Sequence, residues 1–105
     1  MNEVIKTIKE RRSVRKYQSK PVPMDVIEKI AEAGTYSATG RGKQSPIIIA
    51  VTNKDLISRL SKLNAQIMGT DADPFYGAPA VLIVLADKNV PTHVYDGSLV
   101  MGNLM

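Results

Sequence analysis

The sequence predicts a small domain, over residues 1–105, that contains both helices and strands. A chain of 105 residues can enclose one hydrophobic core, and its hydrophobic content of 44% is ordinary for a globular protein. Two apolar runs, 47–51 and 80–86, are rich in β-branched residues and are typical of strands, whereas the segments around them repeat apolar residues at helical spacing. Because both runs are continuously apolar, we expect each strand to be buried on both faces.

The first two predicted helices lie in the N-terminal third of the chain. One covers residues 1–10, where apolar residues recur every three or four positions. The other covers 24–33, with Pro23 at its start and Gly34 as the residue just beyond its end. Between them, the prolines at 21 and 23 break the helical pattern.

The third predicted helix begins after Asn53, a good N-cap, and ends at Gly69. The fourth begins near Val94 or Tyr95, and its apolar stripe continues to the last residue. No later element covers this stripe, and two strands make a small sheet for four helices. We therefore expect the chain to be the front of a longer protein, or to complete its core with a partner and not to be a monomer.

A basic segment, defined here as residues 10–17, carries four cationic side chains, three of them arginines. Residues 1–20 hold seven Lys or Arg and two Glu, so the whole net charge of +4 lies at the front of the chain. Guanidinium groups bind phosphate oxygens in a bidentate manner. The segment is thus either an anion site or a solvated basic face. Nucleic acid is a weaker candidate partner, because no basic face recurs downstream to follow a phosphate backbone.

Composition excludes several classes of site. The absence of cysteine rules out disulfides, thiolate metal sites and a cysteine nucleophile. The Gly-Arg-Gly-Lys run at 40–43 lacks the remainder of a P-loop motif and follows a helix instead of a strand. We interpret His93, Asp71 and Asp73 as solvated loop residues, not as a general base or calcium ligands. Any enzymatic activity would therefore need a cofactor.

The targeting features of the sequence predict a cytoplasmic protein. The longest apolar run, 78–86, is about half the length of a membrane span. The first twenty residues are charged throughout, which disfavours a signal peptide. We expect neither a membrane nor a nucleic acid as a partner.

Four short motifs follow one another along the chain. Arg-Arg-Ser-Val-Arg-Lys-Tyr at 11–17 follows a short helix, and Ser-Ala-Thr-Gly-Arg-Gly-Lys-Gln occupies 37–44. Phe-Tyr-Gly-Ala-Pro at 75–79 precedes a strand, and Asp96 opens a helix that runs to 103–105. In this order the motifs resemble the N-terminal portion of the FMN-dependent nitroreductase family.

The resemblance implies an α+β fold in which helices pack around a mostly antiparallel sheet, incomplete in this chain. It implies an intertwined homodimer with FMN at the subunit interface. The implied activity is hydride transfer from NAD(P)H through FMN to a nitroaromatic, a quinone or a similar acceptor. The alternative is a non-catalytic domain that keeps the fold and an anion site but binds no productive flavin.

The resemblance also implies roles for residues of the basic segment. By position, Arg11 and Ser13 would hold the FMN phosphate, with Arg12 beside them. Arg15 would lie at the N1/C2-carbonyl edge of the flavin, where negative charge collects on reduction, and would tune a cofactor that itself carries the chemistry. A solvated Arg12, or a Ser13 that caps a turn, is the structural alternative.

The remaining implied cofactor contacts lie outside the basic segment. Asn64, in the third helix, would donate to the same flavin edge, although a structural role fits it equally well. Ser37, Thr39 and Gly40 would reach the flavin bound mainly by the other subunit. Gly42 stands where the family often has asparagine, which is a departure within this loop.

Overall fold

The computed structural model describes residues 2–105, and Met1 lies outside it. Over this range the chain forms four α-helices and one two-stranded antiparallel sheet, which confirms the α+β class. A short 3-10 turn at Gly40–Gly42 lies between the second helix and the first strand. In chain order the elements are α1 (Glu3–Glu10), α2 (Met24–Thr35), β1 (Ile47–Val51), α3 (Lys54–Met68), β2 (Val81–Leu85) and α4 (His93–Leu104).

Local side-chain caps fix the N-terminal ends of α1 and α3. Asn2 Oδ1 accepts a hydrogen bond from the Ile5 amide at 2.9 Å, and Asn53 Oδ1 accepts one from the Leu56 amide at 3.0 Å. α3 ends at Gly69, whose φ of 73° lies in the left-handed region that glycine adopts without strain. The predicted cap and stop of α3 are both confirmed.

α2 continues two residues beyond its predicted end, because Gly34 serves close packing and does not stop the helix. Gly34 is buried within the last turn of α2. A Cβ built on it would lie 2.7 Å from Ile48 Cδ1 and 2.7 Å from Leu104 Cδ2. The predicted role of Gly34 as the residue after the helix is therefore wrong. Its missing side chain lets β1 and α4 approach the end of α2.

The hydrophobic core lies where α2 and α4 pack against each other and against the sheet. The most deeply buried apolar side chains are those of Ile27 in α2 and Val100 in α4. Asn103 Nδ2 donates a hydrogen bond to the Ala33 carbonyl at 3.0 Å and joins the C-terminal ends of the two helices. The loop between α2 and β1 is held by this pair of helices, because it continues from α2 and contacts α4.

The two strands pair in antiparallel register, with Ile47 opposite Leu85 and Val51 opposite Val81. The prediction that both strands are buried on both faces is wrong for the described residues. Val51 is the buried residue of β1, whereas Ile47 and Ile49 are exposed. α2 and α4 cover the sheet only in part, so some of its apolar side chains remain accessible.

α1 also leaves an apolar stripe in solvent. Val4, Ile5 and Ile8 recur on one side of the helix and are all exposed. Such a stripe on an amphipathic helix is the usual sign of a surface that packs against something else. Within residues 2–105 no helix combines the length and the apolar character needed to cross a membrane.

Candidate functional site

The basic segment lies against the loop that precedes β2, and a pocket of about 280 Å³ lies between them. Ser13 and Arg15 line this pocket together with Phe75 and Tyr76. Tyr17 of the basic segment also lines it, so the pocket combines a hydroxyl-bearing residue and a permanently cationic one with three aromatic residues. This set of groups suits a ligand that has both a planar ring system and negative charge.

The loop that supplies the aromatic rings is shaped by Asp73. Its Oδ1 accepts hydrogen bonds from Ser61 Oγ at 2.7 Å and from the Phe75 amide at 2.9 Å, and its Oδ2 accepts one from the Gly77 amide at 2.8 Å. These bonds, led by the one from Ser61, lower the pKa of the Asp73 carboxyl. Asp73 is exposed, as predicted, but it also fastens the loop before β2 to α3.

The remaining arginines of the basic segment differ in their contacts. Arg12 Nη1 donates to the Lys9 carbonyl at 2.9 Å and to the Arg11 carbonyl at 2.7 Å. The Arg12 guanidinium therefore satisfies backbone acceptors at the C-terminal end of α1, where a cation is also favoured by the helix dipole. Arg11 is exposed in the extended chain that follows.

A second pocket, of about 370 Å³, lies among α2, the following loop and β1. Ser37 and Thr39 both line it, and Ser37 is buried. Thr39 Oγ1 accepts a hydrogen bond from the Gln44 amide at 2.9 Å and so closes the loop on itself. Gly40 follows directly and begins the 3-10 turn. The structure brings these three predicted residues together in one loop.

Asp96 anchors this loop to α4. Its Oδ1 accepts a hydrogen bond from the Gly40 amide at 2.9 Å, and its Oδ2 accepts one from Thr92 Oγ1 at 2.8 Å. The sequence identifies Asp96 as an acid near the start of a helix and as the first residue of the last of the four motifs, without assigning it a role. The contact with Gly40 spans 56 positions, and no local pattern predicts it.

The structure does not bring all of the predicted cofactor residues into one pocket. The pocket that holds Ser13 and Arg15 shares no lining residue with the pocket that holds Ser37 and Thr39. Asn64 lines neither of the two; it is exposed on α3, and its Nδ2 donates to the Leu60 carbonyl at 2.8 Å. The described chain therefore presents two separate pockets, here called half-sites: one is lined by a cationic residue and aromatic residues, the other by polar residues of the loop after α2 and by apolar residues of α2, β1 and α4.

His93 is not the solvated loop histidine that the sequence predicts. It is the first residue of α4 and is half-buried, and its Nδ1 lies 2.8 Å from the Val90 carbonyl oxygen. The turn formed by residues 90–93 starts the helix slightly earlier than expected and holds the ring against its own backbone. Over residues 2–105, no three His, Cys, Asp or Glu side chains are grouped closely enough to bind a metal ion.

Comparisons with known proteins identify the family of the chain. A family model described as "Nitroreductase family" matches residues 8–74. The chain is 32% identical over 89 residues to an FMN reductase [NAD(P)H] of Bacillus subtilis, a match that covers 85% of this chain and 34% of that protein. The chain spans less than half the length of the curated relatives that it matches.

Solved structures give the same result for the fold. A nitroreductase with bound FMN from Bacteroides fragilis superposes with a TM-score of 0.88 at 28% identity, over 99% of this chain and 63% of that chain. A nitroreductase family protein from Clostridium difficile superposes with a TM-score of 0.79 at 28% identity, over 99% and 60% of the two chains. Since the family model matches more than half of the sequence, this protein belongs to the nitroreductase family.

Proposed function

We propose that this chain forms the FMN-binding part of an NAD(P)H-dependent oxidoreductase that reduces a quinone, a nitroaromatic or a similar acceptor. The observation that carries the proposal is the pocket in which Ser13 and Arg15 meet Phe75 and Tyr76. The names of the relatives agree with it, since one is an FMN reductase and another is a nitroreductase with bound FMN.

The residues present fit the chemistry of FMN. The cofactor has a phosphate dianion, a ribityl chain and a flat ring whose pyrimidine edge gains negative charge on reduction. Ser13 and the exposed Arg11 supply a donor and a cation for the phosphate, and Arg15 supplies a second cation beside the aromatic rings. When bound, FMN would accept hydride from the nicotinamide and pass it to the acceptor.

The two half-sites suggest that two subunits contribute to each cofactor site. A volume of about 280 Å³ lies just below the usual range for small-molecule pockets, so the cationic half-site alone encloses little of a flavin. We infer that Ser37, Thr39 and Gly40 of a second copy complete it. The exposed stripe of Val4, Ile5 and Ile8 on α1 offers apolar surface for such a homodimer.

Reconstitution with FMN tests the proposed function. The purified chain, incubated with FMN and freed of excess, should show the visible absorbance of a bound flavin and should oxidise NAD(P)H when a quinone or a nitroaromatic is added. Arg15→Ala should weaken binding, whereas Lys88→Ala, which removes an exposed cation from the loop after β2, should not. A colourless protein that ignores FMN would support the non-catalytic alternative.

Light scattering tests the proposed homodimer separately. The parent chain should show twice the monomer mass at micromolar concentration. Ile8→Glu places a charge in the stripe of α1 and should shift the mass toward the monomer, whereas Lys6→Glu, elsewhere on the same helix, should not. A monomer mass for the parent, together with a cooperative thermal transition, would contradict the dimer.

A further inference from the structure

Asp96 is among the most deeply buried residues of the described chain, with 2% of its surface exposed. A buried carboxylate is costly unless each of its oxygens has a donor. Here one oxygen accepts from the Gly40 amide and the other from Thr92 Oγ1. Both donors belong to the contact between the loop after α2 and the start of α4. The carboxylate is therefore a bridge between two segments that are distant in sequence.

The loop that Asp96 holds has an unusual backbone. Arg41 and Gln44 have positive φ values of 55° and 49°, and Gly42 between them has a φ of 63°. Residues other than glycine occupy this region at a cost, and such conformations persist only when the surrounding contacts impose them. The bond from the Gln44 amide to Thr39 Oγ1 holds part of this shape from within, and the bond from the Gly40 amide to Asp96 ties the loop to the rest of the fold.

Gly40 shows how closely the loop is held. A Cβ built on Gly40 would overlap Thr92 Oγ1 and would lie 3.0 Å from both carbon atoms of that side chain beyond its Cα. No larger residue fits without moving Thr92. The Gly40 amide can reach Asp96 because of this close approach. We call the hydrogen-bonded set of Gly40, Thr92 and Asp96 the latch, since it joins the loop to the start of α4.

We propose that Asp96 is a positioning residue, which holds Ser37, Thr39 and Gly40 in the conformation that contacts the flavin ring. The proposal rests on the proposed function, because it assigns those three residues to the ring. Asp96 itself lines neither half-site. It acts through hydrogen-bond geometry and not through its charge, since both of its partners are neutral donors.

Three variants and one control separate the effect of the Asp96 hydrogen bonds from the effect of its charge and from general destabilisation of the fold. Asp96→Ala removes both acceptors. Asp96→Asn removes the charge, but its amide oxygen can still accept from Gly40 and its amide nitrogen can donate to Thr92 Oγ1. Thr92→Val is a milder variant that deletes one of the two donors with little change in volume. Val51→Ala is the matched control, because it removes part of a buried core side chain that lines neither half-site of the proposed cofactor.

Amide hydrogen exchange of the purified chain without flavin is the first measurement. Asp96→Ala should speed exchange at Gly40 by roughly tenfold or more relative to Val51→Ala, as expected when a partly buried amide loses its hydrogen-bond acceptor. Asp96→Asn should stay within about threefold of the parent. The exchange rate at Gly40 in Thr92→Val should fall between those of the two Asp96 variants. If Asp96→Ala does not fold, this rate decides whether the latch exists. Unchanged Gly40 exchange in every variant that folds overturns the latch.

Flavin affinity is the second measurement, made with FMN and with riboflavin, which lacks the phosphate. Asp96→Ala should weaken both ligands by the same factor, again roughly tenfold, because the loop is assigned to the ring. Asp96→Asn should restore most of that loss. If Gly40 exchange rises but neither affinity changes, the latch is purely structural and the positioning role is wrong. If the parent binds neither flavin, the proposed function and the positioning role both fail, while the exchange result still decides whether the latch exists.

Discussion

Asn103 Nδ2 donates a hydrogen bond to the carbonyl oxygen of Ala33, 3.0 Å away, so a side chain of α4 closes the last turn of α2. The final carbonyls of a helix lack the usual amide partners one turn further on, and α2 has no basic residue in its last turn. The Ala33 carbonyl also accepts a hydrogen bond from the Tyr36 amide at 3.3 Å, so Asn103 is its second donor. α4 therefore supplies both a packing surface and a side-chain cap at this end of α2.

Asn103→Ala should destabilise the fold by about 1 kcal/mol, the usual net contribution of a hydrogen bond between neutral groups. Urea unfolding at neutral pH measures the change. The control is Asn64→Ala, because Asn64 is also an exposed helical asparagine but donates only to Leu60 in its own helix. Equal losses in the two variants would show that the bond to Ala33 contributes nothing specific.

The glycines of α2 and α4 offer a second test of packing. Gly102 is exposed in α4, and no atom lies within 4 Å of the position that an added Cβ would take, so Gly102→Ala should stabilise the helix by up to about 1 kcal/mol. Gly34→Ala gains the same helix propensity, but its added methyl group must displace the side chains of Ile48 and Leu104. Overpacking of this kind costs about 1–3 kcal/mol, so Gly34→Ala should be the less stable variant by about that amount.

Thermal or urea unfolding of the two alanine variants measures this difference directly. If Gly34→Ala matched Gly102→Ala, the ends of α2 and α4 would not be in tight contact.

Sequence patterns predict the features that depend on interactions between neighbouring residues, and they fail for features that depend on contacts between distant segments. α3 is predicted with both ends, because Asn53 and Gly69 act within one turn of the helix that they bound. Gly34 is misassigned, because a helix stop and a close helix contact both favour glycine, and only tertiary structure separates them. The strand pattern is equally ambiguous, since a continuous apolar run indicates burial without saying which element provides it.

The candidate site shows the same limit. The motif containing Ser13 and Arg15 can be identified from composition and order, but its contact with Phe75 and Tyr76 joins segments about sixty residues apart. Asp96 begins one of the four motifs and is an acid in a first turn, but neither observation indicates its partner. Its pairing with Gly40 arises from the way α4 packs on α2, which no local pattern encodes.

The pH dependence of stability should report on Asp73. Hydrogen bonds from Ser61 and from two backbone amides hold the pKa of this carboxyl below its ordinary value of 3.8. A lowered folded-state pKa stabilises the fold fully above the unfolded-state value, and the contribution is lost as the pH falls through the folded-state pKa. The difference in unfolding free energy between the parent and Asp73→Asn should thus be constant near neutral pH and should shrink below about pH 4.

Urea unfolding between pH 3 and pH 7 would reveal this trend. Asp71→Asn removes the same charge two positions earlier in the loop and should change stability less. A difference between the parent and Asp73→Asn that does not vary with pH would mean that the hydrogen bonds to Asp73 do not favour its ionised form.

Binding of FMN should depend on Arg11 through its charge. Arg11→Ala should cost about 1.5–3 kcal/mol of FMN affinity, the range for a hydrogen bond to a charged group, and the affinity of the parent should fall as salt rises. Riboflavin should bind the parent and Arg11→Ala equally well, because it has no phosphate. Arg59→Ala removes an exposed arginine from α3 and is the matched control. Equal losses at both positions would identify the basic segment as a solvated face.

Arg15 should tune the bound flavin more than it holds it. The side chain lines the pocket that also contains the rings of Phe75 and Tyr76, and a cation there favours the more negative, reduced form of the cofactor. Arg15→Met removes the charge and keeps a long apolar stem, so packing should be largely preserved. A partly screened charge worth about 1–2 kcal/mol corresponds to a shift of about 20–45 mV in a two-electron potential, and the shift should be downward.

A redox titration of Arg15→Met, of Arg11→Ala and of the parent separates the two roles. Arg15→Met should lower the potential and weaken binding of oxidised FMN less than Arg11→Ala does. Arg11→Ala should weaken binding and leave the potential nearly unchanged, because a phosphate contact is the same for both redox states. If Arg15→Met instead abolishes FMN binding, and the potential measured at saturating FMN equals that of the parent, then Arg15 is a phosphate ligand. The roles within the basic segment would then be the reverse of those proposed.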